Sequence, residues 1–90
     1  MTNFFDEIPF AAAEQIERLS RLLYELRENR KRLLEPYGVT DEDALLALIT
    51  DRRIDEHPAY EHYLSANILT ESHAAVRAEL QLVLAAANAS

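Results

Sequence analysis

Residues 57 to 73, HPAYEHYLSANILTESH, hold all three histidines of the chain together with two tyrosines and two glutamates. Imidazoles and carboxylates this dense have the composition of a metal site or of an acid–base pair. Spacing argues against both. On a helix His57 and His62 are five apart and His73 lies eleven beyond His62, so no two rings share the i, i+4 relation that brings two nitrogens to one ion, and neither H-E-x-x-H nor E-x-x-H occurs. The stretch instead reads as a helix beginning. His57 precedes Pro58, which suits a first helical position, Glu61 falls in the first turn where the helix dipole favours negative charge, and Tyr60 and Tyr63 are amphipathic anchors. His73 shares a register with Leu69, Val76, Leu80 and Val83 and should face another helix.

Other routes to chemistry are equally bare. The chain has no cysteine, no glycine-rich loop and one glycine in all, and its carboxylates are scattered over helix surfaces, so neither a nucleophile elbow nor a phosphate cradle is expected. No cofactor and no metal is expected within one chain. The segment RENRKR, residues 27 to 32, is the basic cluster. Arg27, Arg30, Lys31 and Arg32 would be its nucleic-acid contacts, but Glu25, Glu28 and Glu35 interrupt it and the net charge of −7 opposes a phosphate backbone. That charge is uneven. Residues 14 to 35 carry six basic and five acidic side chains, whereas residues 36 to 90 carry three basic and nine acidic.

These residues must be positioned by helices. Ala, Leu, Glu and Arg dominate, β-branched alternation is missing, and apolar residues make up 49% of the chain, which is enough for a folded domain. In the first helix, expected over about 10–35, Ile16, Leu19, Leu23, Leu26 and Leu33 recur at steps of three and four, and Arg30 fills the skipped position. There it either snorkels to water or pairs with a carboxylate that sets helix register. Asp6 would cap this helix and Pro9 would sit in its first turn. Glu35-Pro36-Tyr37-Gly38 breaks it. Thr40 is then the expected N-cap of a short helix over about 41–52 with Leu45, Leu48 and Ile49 as its stripe, and a third helix should run over about 58–86 with Tyr60, Leu64 and Ile68 on its first apolar face.

The expected architecture is one all-α domain: a helical hairpin or three-helix bundle, two long antiparallel helices with a short helix between, and dimeric. Residues 1 to 9 form an apolar N-terminal arm with Phe4 and Phe5. A chain of 90 residues buries only about 60% of its unfolded surface, and the rings of Phe4, Phe5, Phe10, Tyr60 and Tyr63 exceed what so small a core covers. Those five, with His73, are the candidate interface residues. No apolar run reaches a membrane span and no signal sequence is visible, so a cytoplasmic protein is expected. The function that fits is an acidic protein-interaction module, accessory or regulatory in the manner of an inhibitor or antitoxin, pairing with itself and with another protein whose charge is basic. Two rivals stand beside it: a nucleic-acid-binding regulator using residues 27 to 32, and an enzyme or metal protein whose site His57, His62 or His73 completes across a dimer interface.

Overall fold

The structure, a computed structural model, describes residues 10–89. Every regular element in that range is helical: α1 (Phe10–Leu34), a 3₁₀ turn (Glu35–Tyr37), α2 (Glu42–Thr50) and α3 (Glu56–Ala89). Asp6, Pro9, Phe4 and Phe5 lie outside the described residues.

Helix α1 ends at Leu34, at the expected break. Pro36 occupies the opening of a 3₁₀ turn, where its missing N–H has no partner to lose. Gly38 ends that turn in the left-handed region, φ 68°, and donates its N–H to the Glu35 carbonyl at 3.0 Å. Only glycine enters that region without a steric cost. The cap of α2 is Asp41 and not Thr40. Its extended backbone, φ −146° and ψ 166°, aims the carboxylate at the N–H of Ala44, which it accepts at 2.8 Å. A carboxylate is favoured over a hydroxyl there because the bond is charge-assisted and the helix N-terminus is positive.

At its far end α2 closes with a Schellman pair. The N–H groups of Arg53 and Arg52 donate to the Leu48 and Ile49 carbonyls, both at 3.0 Å. Arg52 supplies the left-handed residue, φ 59°, in place of the usual glycine. In α3, His57 is extended, φ −102° and ψ 133°, so the continuous helix starts at Pro58 as expected.

Helices α1 and α3 run antiparallel. Ala12 shares a cavity with Ala86, Leu23 with Leu80 and Leu26 with Leu69, and Tyr37 meets His62 beyond the end of α1. Helix α2 packs on the first turns of α3, and among the described residues it is there that α1, α2 and α3 meet. The fully enclosed core, Leu34, Leu45, Ala59 and Ala66, sits at this end, ringed by residues such as Ile49, Ile54 and Tyr63. Two alanines in α3 let the neighbouring backbones come close. The remainder of the rod is two helices deep. It measures 60 × 17 × 17 Å with a radius of gyration of 18.0 Å, against about 12 Å for a compact chain of this length. Among the described residues no helix is long and apolar enough to cross a membrane.

Candidate interaction site

The three histidines are engaged separately. His57 Nδ1 lies 2.7 Å from Glu61 Oε1, one exposed turn later. The Glu61 carboxyl is held below the ordinary 4.5, first by a backbone hydrogen bond at its own N–H and then by the His57 side chain, with burial opposing. His62 Nδ1 meets the Tyr37 hydroxyl at 2.6 Å, their rings edge-on 5.7 Å apart, which ties α3 to the turn after α1. His73 is half-buried in the cleft between α1 and α3, beside Leu23 and Arg27. It faces a helix, as its register predicts, but that helix belongs to its own chain. Among the described residues no three histidine or carboxylate side chains converge on a point where a metal could sit.

Arg30 pairs with a carboxylate. Its Nε bonds Glu42 Oε1, joining the C-terminal end of α1 to the first turn of α2. Glu42 is the buried charged residue of the described chain, 8% exposed, and Arg30 is its counter-ion. The rest of RENRKR is dispersed by the helical period. Arg27 and Lys31 turn to one flank of α1, beside Val39 and Thr40, while Arg32 turns to the other, beside Leu33 and Ile68. The run is therefore not a single basic patch. Across the cleft Arg77 joins the first flank, lining the same cavity as Arg27. Sequence reasoning missed it. The antiparallel register was the available signal, since Leu23 opposite Leu80 puts Arg27 opposite the turn from His73 to Arg77.

The other flank carries large exposed apolar side chains among the polar Gln15, Asn29, Arg32 and Glu79. Ile68 and Leu82 are 62% and 67% exposed, and Leu22 lies on the corresponding side of α1. Small residues intervene, among them Ala12, Ser65 and Ala86. Ile68, Ala75 and Leu82 repeat at seven residues on the exposed side of α3. This corrects the expected face of that helix: Tyr60, Leu64 and Ile68 are exposed, and Ala59, Tyr63 and Ala66 turn inward. The reason is α2, which lies on the alanine side and leaves the bulkier stripe uncovered. Tyr60 stacks on half-buried Tyr63 with ring centroids 5.9 Å apart, and Phe10 stands 78% exposed at the opposite end.

A family model matches residues 12–87, nearly all of the described hairpin, and the chain belongs to that family, described as the Uncharacterized protein MJ0235 family. No curated protein and no solved structure matches it.

Proposed function

We propose that the chain is a small cytoplasmic protein-interaction module, accessory or regulatory and without catalytic activity, that pairs with a second copy through the flank of Leu22, Ile68 and Leu82. The observation that carries this reading is the mismatch between length and core. A compact monomer of this mass exposes about 5,400 Å², whereas this chain exposes 6657 Å². The excess surpasses the roughly 800 Å² that each partner gives to an ordinary stable interface.

Two hairpins set back to back on that flank make a four-helix bundle, with the two α2 helices outside. Alanine and serine between the large side chains allow close helix approach, and a two-fold axis uses the same surface twice. The dispersal of RENRKR and the net charge weigh against the nucleic-acid rival. The separate engagement of His57 and His62 weighs against a shared metal.

Light scattering on wild type and on the double variant Ile68→Glu/Leu82→Glu tests the reading. Wild type should have twice the mass of the 10.3 kDa chain, and the variant should remain helical at the mass of one chain. Both substitutions fall on exposed sites, so equal masses for the two proteins would refute the assigned flank.

A further inference from the structure

We infer that the cleft on the opposite flank of the hairpin, between α1 and α3, is a docking groove for an acidic amphipathic helix of a partner protein. Two cavities of about 400 and 250 Å³ lie between α1 and α3, and a third of about 470 Å³ continues the trough past the end of α1, against Gly38, Val39 and Thr40; Arg27 lines all three. The floor of the trough is apolar, built from Leu23, Leu26, Leu69 and Leu80. Its edges are cationic, with Arg27 and Lys31 on α1 and Arg77 on α3.

Among the described residues none of these three cations has a carboxylate at ion-pair distance. Arg27 is instead held 5.7 Å over the Tyr24 ring, which fixes its guanidinium beside the trough. Arg30 differs, because Glu42 already neutralises it. The acidic lining residue is Glu35, at the end closed by Val39 and Thr40. In a chain of net charge −7, an apolar trough with three unpaired cations reverses the sign of the molecule locally. Charge complementarity therefore selects an anionic partner at this site, although the whole molecule attracts a basic one.

The apolar floor selects the partner's class. Ser20 to Leu34 spans about 21 Å at 1.5 Å per residue, the length of four helical turns, and leucines on such a helix would seat between the floor residues while its carboxylates reach the rims. A nucleic acid would gain the cations and leave the leucines uncovered.

This inference rests on the reading of the chain as an interaction module, but the two fail separately, one in particle mass and the other in peptide binding. The probe is a fluorescent, capped helical peptide of about 16 residues, with leucine at every third or fourth position and glutamate and alanine between, titrated at low salt by anisotropy. Wild type should bind it. Arg27→Glu/Arg77→Glu should weaken binding about tenfold or more and should prefer the lysine version of the same peptide. The milder Arg27→Gln/Arg77→Gln gives the same direction should the reversal disturb folding, which circular dichroism reports. No binding of the acidic peptide at about 1 mM, equal binding by wild type and variants, or tighter binding of a single-stranded oligothymidine than of the peptide would overturn the inference.

Discussion

Replacing Arg30 by methionine should destabilise the fold more than removing the charge of its partner. Glu42 has a side chain only 10% exposed, and Arg30 one that is 29% exposed. Loss of the guanidinium strands a carboxylate that has little access to water. Breaking a buried pair this way costs about 3–5 kcal/mol, and the residual exposure lowers the expectation to about 2–3 kcal/mol. In Glu42→Gln the guanidinium can turn to solvent and the amide oxygen still accepts, so about 1 kcal/mol is expected. The double variant Arg30→Met/Glu42→Leu removes both charges and should recover most of the loss. For a domain of this size, 1 kcal/mol moves Tm by about 4–8 °C. Arg30→Met should therefore melt about 10–20 °C below wild type, followed by circular dichroism at a fixed protein concentration. A smaller loss for Arg30→Met than for Glu42→Gln would refute the argument that burial of Glu42 sets the cost.

Asp41→Ala should cost about 1 kcal/mol in urea denaturation, the usual value of a lost N-cap, with Thr40→Ala within about 0.5 kcal/mol of wild type; the reverse order would return the cap to Thr40. Arg52→Gly should stabilise by up to about 1 kcal/mol, since glycine enters the left-handed region without strain, and a lower urea midpoint would show that the arginine side chain offsets that cost. Glu61 has a folded pKa below its unfolded one, so its stabilising contribution is complete above pH 4.5 and declines as pH falls through the folded value. Thermal melts between about pH 5 and pH 3 should show a shallower fall for Glu61→Gln than for wild type, and identical slopes would assign the acid sensitivity to other carboxylates.

Local signals in the sequence place the helices well. The i, i+3, i+4 leucines of α1, Gly38 and Pro58 mark its extent, its exit and the start of α3 because each acts within one or two turns. The cap of α2 is displaced by one residue, since Thr40 and Asp41 are both good caps and only the backbone angle chooses between them. Which side of α3 turns inward was not legible. Tyr60, Leu64 and Ile68 are the larger side chains, but Ala59 and Ala66 admit α2, a choice made by tertiary contact and not by hydrophobicity. The role of Arg30 was legible as a pair of alternatives, and its partner twelve residues away decided between them. Arg77 gave no signal alone, because its meaning depends on the antiparallel register with Arg27.

The self-pairing of the flank of Leu22, Ile68 and Leu82 is tested most directly by a distance between two copies. Ala78 is exposed on α3 one turn after Ala75, beside the Ile68, Ala75 and Leu82 stripe and not on it, and the chain has no native cysteine, so Ala78→Cys accepts a single spin label without filling the proposed contact. Helices in contact across a two-fold axis lie about 8–10 Å apart. Pulsed dipolar spectroscopy should then give one narrow distance below about 30 Å once the label arms are included. Absence of dipolar modulation at micromolar concentration, or a distance well beyond that range, would contradict a dimer joined at this face.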